Sequence, residues 1–326
     1  MRRRFLVQSA ALLAGAAAPS VFAQTSPYPN KIIKMIVSFG PVGSVDPIMR
    51  IIQPKMNESL GQTIVIENRP GGTTSIAAGA VTKSAPDGYT LLFTAEGTHV
   101  VHTIGRPQIP YHPINDFTPI AAVSRSGFVM AVHPSIPAKT IAEFVAYCKA
   151  NPGKVDYAST GVGNNNHLAF ERFALATGIK VTHVPYKETS AIIADFVPGR
   201  VQAFFSTTSV IQPMIDAGQI RALAYTATQE GDVPKNLTFT AAGLPEFENV
   251  DSLNVIMGPA HLPPAIALKL QAAVEAALAL PEIKAAIQGQ KQYAYFMTGE
   301  QLGARMRADL VKYNQIVKDA NIKLEG

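Results

Sequence analysis

Two strand-to-helix turns hold the residues most able to do chemistry. The first lies in "IVSFGPVGSVDPIMR", residues 36–50, and gathers Phe39, Gly43, Ser44 and Asp46. The second lies in "VDYASTGVGNNNHLAF", residues 155–170, and gathers Ser159, Thr160, Gly163, Asn165, Asn166 and His167. Each leaves an apolar run, passes through glycines and enters a helical pattern. A helix N-terminus carries backbone N–H groups without intrahelical partners and a partial positive charge. It holds a carboxylate or phosphate without any lysine. Taken singly, either set of glycines needs to do no more than make a tight turn. Two such turns in a chain without a catalytic constellation favour binding.

That constellation is sought and not found. The sequence has no HExxH, no CxxC pair, no G-x-S-x-G elbow and no Walker lysine loop. Gly161-Val162-Gly163 begins a dinucleotide fingerprint but lacks its third glycine. The seven histidines are dispersed without metal-ligand spacing, so structural roles are expected and neither a metal nor another cofactor is. Cys148, the single cysteine, sits in the helical stretch "IAEFVAYCKANPGK" and reads as a core residue, not a working thiol.

The elements that position these turns follow from periodicity. "KIIKMIVSF", "TIVIEN" and "YTLLFT" read as strands, separated by helices from about Asp46 to Leu60 and after "RPGGTTS". This βαβαβ order predicts a mainly parallel sheet covered by helices, and the strands are apolar on both faces as such a sheet requires. After Phe117 the pattern repeats. "IAAVS" and "FVMAVH" read as two strands, followed by "VDYAST", "KVTHVPY", "VQAFFST" and "IRALAYT" with helices between. Two amphipathic helices, about 264–280 and 299–320, close the chain with a short one at 281–289 between them.

Length and charge set the outer bounds. The 326 residues suit two domains, and 47% apolar with 16% charged residues marks a globular chain. Residues 1–23, "MRRRFLVQSAALLAGAAAPSVFA", read as an export signal cut after Ala23. Arg2-Arg3-Arg4-Phe5-Leu6 fits the twin-arginine route, and an ordinary Sec leader with an extra arginine fits as well. Removing these three arginines leaves 25 basic residues against 23 acidic, a net charge of +2. The remaining basic residues are scattered, so no nucleic-acid partner is expected. No run reaches the roughly 18 apolar residues of a membrane span.

The ordered blocks "YPNKIIKMIVSF", "QTIVIENRPGG", "APDGYTLLFT", "HPINDFTPIAAV", "VDYASTGVGNNNHLA", "VPYKETSA" and "AGQIRALAYT" resemble the Bug (TctC-type) family. These are periplasmic solute-binding proteins, some of which serve tripartite tricarboxylate transporters. The resemblance runs from about Tyr28 to Ile322. It implies an α/β, two-domain periplasmic-binding-protein fold of the type II Venus-flytrap kind. Residues 24–123 and 228–326 would form domain 1 and residues 124–227 domain 2, with crossovers near 121–126 and 222–228.

The resemblance also implies a site, carried over residue by residue. The family's first loop reads approximately F-x-x-G-G-x-x-D. Phe39, Gly43 and Asp46 match it, Ser44 lies between, and Val42 replaces its first glycine. The third-strand loop matches at Thr94, Thr98 and His99. The loop of domain 2 matches at Ser159, Thr160, Gly161, Gly163 and His167, with Asn164, Asn165 and Asn166 in place of serines and threonines. "VPYK" matches at Tyr186, but Glu188 replaces a glycine. Many relatives carry an aspartate about where Ser206 stands. Ser206 and Thr207 offer hydroxyls without charge, so the ligand should lack an amine unless Glu188 supplies the missing carboxylate. Phe39 and Phe205 could accommodate a second carboxylate or an aromatic ring.

The expected function is a monomeric, non-enzymatic periplasmic protein. It would capture a small dicarboxylate or aromatic acid between its domains and deliver it to membrane permease subunits. A ligand-binding accessory of a sensor kinase and a secreted enzyme are the alternatives.

Overall fold

A computed structural model describes residues 27–41, 43–104, 106, 108–226, 233–247, 250–319 and 322. The expected leader, Val42 and part of the second crossover lie outside these. The first lobe begins with β1 (Ile33–Val37), α1 (Asp46–Leu60), β2 (Ile64–Asn68), α2 (Ser75–Thr82), β3 (Thr90–Ala95) and α3 (Glu96–His102). α1 starts where expected because Asp46 and Pro47 favour a first turn, and it stops at Gly61, whose φ of 68° suits glycine. Ile48, Met49, Ile52, Met56 and Leu60 fall on one face at helical spacing and are all buried.

β4 (Phe117–Val132) is a single strand of sixteen residues where two shorter ones are expected. Its first part, through Gly127, pairs with β9 (Asp251–Pro259), and Phe128–Val132 pairs with β7 (Ala203–Thr207). The polar step Arg125-Ser126-Gly127 reads as a break in the sequence. The strand continues because Thr208 Oγ1 donates to the Gly127 carbonyl at 3.1 Å, while Ser126 Oγ lies 3.2 Å from the same hydroxyl. β4 thus carries the chain from one lobe into the other.

The second lobe continues with α4 (Ile141–Ala150), β5 (Asp156–Ser159), α5 (Asn165–Thr177), β6 (Thr182–Pro185), α6 (Thr189–Phe196), β7, α7 (Thr208–Asp216) and β8 (Arg221–Tyr225). The chain returns through β9 and ends with α8 (Pro264–Ala279), α9 (Pro281–Gly289), β10 (Tyr293–Thr298) and α10 (Gly299–Asp319). The helical tail matches its expected spans; β10, antiparallel to β4, was not expected. The strand order is β2-β1-β3-β9-β4-β7-β5-β6, with β8 and β10 also pairing β4. Pairing is parallel among β1–β3 and among β5–β7. It is antiparallel around β4 and β9, the strands that pass between lobes.

Helices cover both faces of each half. α1 and α8 bury one face of the first lobe, and α2, α3 and α10 pack on the other. In the second lobe Phe144, Phe170 and Phe173 fill one face, and Ile192, Phe196 and Ile211 the other. Cys148 is wholly buried on the first of these faces, and burial pushes its thiol up to about 11, in keeping with a core role. Phe239 and Phe247 also pack there, against Phe173. Residues 233–247 therefore pack with the second lobe, although a boundary at 227/228 would assign them to the first.

Candidate functional site

The parallel halves point the C-terminal ends of β1, β2 and β3 toward those of β5 and β7. The loops leaving these ends meet at three places. Arg106, just beyond α3, donates from Nη2 to the Val162 carbonyl at 2.5 Å. A methyl group on Gly97 would lie 2.1 Å from Asn165 Nδ2. One on Gly161 would lie 3.4 Å from the Thr73 hydroxyl. Leu168 adds apolar contact with Val101, Ile104 and Tyr313.

The first loop is held from below. Asp46 is buried at the start of α1 and accepts from Arg50 at 2.6 and 3.1 Å and from Asn68 Nδ2 at 2.7 Å. Asn68 Nδ2 also donates to the Phe39 carbonyl at 2.8 Å. Asp46 therefore fixes the loop to β2, and its carboxylate is already occupied. The Phe39 ring packs partly buried against the first core. Gly43 has φ 145°, a backbone state that favours glycine. The Ser44 carbonyl accepts from Asn254 Nδ2 at 2.9 Å and Gln292 Nε2 at 2.5 Å. Thr94, wholly buried, accepts from Ser38 Oγ at 2.7 Å, and Thr98 is half-buried on α3.

The second loop satisfies itself. Asn164 caps α5 by accepting from the His167 N–H at 3.0 Å. The Gly163 N–H donates to His167 Nδ1 at 2.9 Å, and the Gly161 N–H to Ser159 Oγ at 3.2 Å. Ser159 Oγ also lies 2.7 Å from His183 Nε2. Thr160 bonds the side chains of Asn164 and Asn166, and Asn166 Nδ2 donates to the Phe205 carbonyl at 2.7 Å. The N–H groups of Gly161 and Gly163 are thus turned inward, away from any ligand. Asn165 is the member that leaves this loop: its Nδ2 leans on Gly97, and its buried Oδ1 has no partner among the described residues.

Burial drives His167 down to about 3 and His183 to about 4, so both imidazoles are neutral. Because His167 Nδ1 accepts from an amide, its proton sits on Nε2.

Three expected site residues point elsewhere. His99 is wholly buried, stacked 5.9 Å from Tyr111 and edge-on to Phe117 at 4.8 Å, with Nε2 2.9 Å from the Pro113 carbonyl. Its place is the face of the first lobe covered by α2, α3 and α10, where Val100, Tyr111 and Phe117 are also buried. The Phe205 ring stacks on Phe128 at 5.5 Å in the second core, since β7 alternates its side chains between two covered faces. Tyr186 donates to Asp195 at 2.9 Å over α6. Ser206 and Thr207 are buried at the end of β7, where α7 starts without a side-chain cap.

Sequence reasoning passed over Thr73, Thr74, Gly97 and Arg106. Thr73 and Thr74 hold φ of 48° and 85°. Such strain in a β-branched residue costs on the order of 1–3 kcal/mol and gathers at ligand clamps. The paired glycines of "RPGGTT" were the available signal. α2, which follows, also begins without a side-chain cap. Among the described residues no group of three or more His, Cys, Asp or Glu could hold a metal, and no helix is long and apolar enough to cross a membrane.

Residues 48–322 match the model of the tripartite tricarboxylate transporter family receptor. The chain is 31% identical over 314 residues to protein BugT of Bordetella pertussis, covering 96% of this chain and 95% of that one. An R. palustris protein solved with adipate superposes with a TM-score of 0.82 at 27% identity, covering 90% of this chain and 99% of the other. MatC from Rhodopseudomonas palustris, solved with bound malate, gives 0.79 at 26% identity, covering 89% and 100%.

Proposed function

The chain belongs to the tripartite tricarboxylate transporter receptor family, a family of solute-binding receptors and not of enzymes, and from that premise we propose that it captures a dicarboxylate between its lobes. The observation that carries this reading is the likeness, over about nine-tenths of the chain, to a solved structure with adipate and to another with bound malate. The local chemistry agrees. α1, α2 and α7 begin at the ends of β1, β2 and β7 with no side-chain acceptor on their first N–H groups. These ends favour anions. Ser206, Thr207 and Thr98 add hydroxyls, and charge-assisted hydrogen bonds in such a cleft are worth about 1.5–3 kcal/mol each.

The ligand carries no amine. Ser206 brings no charge, and Glu188 is exposed, accepting from Ser190 Oγ at 3.4 Å. An ammonium buried here would lack a partner, which costs several kcal/mol. The mature protein works in the periplasm as a monomer, after removal of residues 1–23, and hands its ligand to permease subunits of a tripartite transporter. A thermal-shift screen of succinate, malate, adipate and benzoate tests the assignment, since a bound acid stabilises the fold by RT ln(1 + [L]/Kd) and so raises the melting temperature. Shifts with the diacids support it; a flat response across all four removes it.

A further inference from the structure

We propose that Arg106 is a specificity-determining residue of this cleft: it fastens the second lobe's loop onto the first lobe and supplies the unneutralised positive charge that favours an anion. The inference rests on the carboxylate-binding reading above. Arg106 is only 7% exposed. It donates from Nη1 to the His102 carbonyl at 3.0 Å and from Nη2 to the Val162 carbonyl at 2.5 Å. One acceptor ends α3 of the first lobe; the other lies in the 159–164 loop of the second. No carboxylate comes within ion-pairing distance of it among the described residues.

An arginine keeps its proton in a protein, so this site buries a full charge on carbonyl dipoles alone. Such a group is costly unless something neutralises it. The loop it grips is the one that carries Ser159, Asn165 and Asn166, so an anion entering beside that loop meets an uncompensated cation. The same charge already reaches across the boundary: burial first, then the neighbouring His183 and Arg106, hold His167 of the second lobe neutral. The planar fork of a guanidinium reaches two carbonyls from different lobes at once; a lysine offers a single point. Since the Val162 bond exists only while the lobes are together, charge and closure are one device. A ligand that gains from the charge also stabilises the closed state.

The test uses the mature protein with Arg106→Gln and, as a charge-preserving control, Arg106→Lys. Small-angle scattering and backbone hydrogen exchange at residues 160–164 are measured without ligand; succinate, malate and adipate are titrated by calorimetry at low and high salt. Arg106→Gln should enlarge the radius of gyration, speed exchange of the loop, and weaken diacid binding at least about tenfold with a reduced salt dependence. Arg106→Lys should keep the salt dependence while losing loop protection. Wild-type scattering and exchange in both variants overturn the fastening. Equal diacid affinity of Arg106→Gln and wild type overturns the charge. If wild type binds none of the acids while Arg106→Gln still opens, the carboxylate reading fails and the fastening stands.

Discussion

The imidazole rings of His167 and His183 lie nearly parallel with centroids 4.0 Å apart, and His183 Nε2 is 2.7 Å from Ser159 Oγ. This stack joins α5 to β6 and fixes the loop that faces the first lobe. It tolerates no charge.

Acid should therefore loosen the second lobe. Burial lowers both imidazoles from 6.5, to about 3 and about 4. Below 6.5 the unfolded chain takes up protons that the folded chain refuses. The contribution of these two histidines to stability is full above pH 6.5 and is lost as pH drops toward 4. Thermal melts of wild type and His183→Gln between pH 7 and 4.5 should show the smaller loss in the variant. Equal losses would show that the stack does not titrate as argued.

Glu96 acts in the opposite direction. It is buried at the start of α3, near Asp309, and burial pushes it up to about 8. Between pH 4.5 and 8 the folded chain holds a proton on Glu96 that the unfolded chain has released, so the Glu96 contribution to wild-type stability falls as pH rises across that window. Glu96→Gln keeps the shape and removes the titration. Its melting temperature should gain on wild type from pH 5 to 8, and a constant gap would contradict the assignment.

Gly97→Ala separates closure from helix propensity. Alanine improves an exposed helix position over glycine by roughly 1 kcal/mol. Here its methyl would sit 2.1 Å from Asn165 Nδ2. The variant should keep its melting temperature within a few degrees yet bind diacid severalfold more weakly, and adding Asn165→Ala should restore part of the lost compactness seen by scattering. Unchanged affinity in Gly97→Ala would mean that Asn165 yields freely.

Much of this architecture was legible because its signals are local. The apolar face of α1, its Asp46-Pro47 start and Gly61 stop, and the tail helices α8 to α10 need no tertiary knowledge. β4 was misread as two strands because the hydroxyl bonds at Ser126 and Gly127 that carry it onward come from Thr208, 81 residues further along from Gly127. The site was legible as turns but not as roles. Nothing near His99 in sequence tells that Tyr111 and Phe117 enclose it. Arg106 escaped notice for the same reason: Val162 lies 56 residues away.

The central claim is that the cleft takes diacids without an amine. Titration calorimetry of the mature protein with succinate against aspartate, and glutarate against glutamate, addresses it most directly, since each pair differs chiefly by one ammonium group. The account predicts saturable binding of succinate or glutarate at least about tenfold tighter than of its amino counterpart, a difference of 1.4 kcal/mol or more. Tighter binding of aspartate or glutamate would contradict it and would turn attention to Glu188 as the ammonium partner.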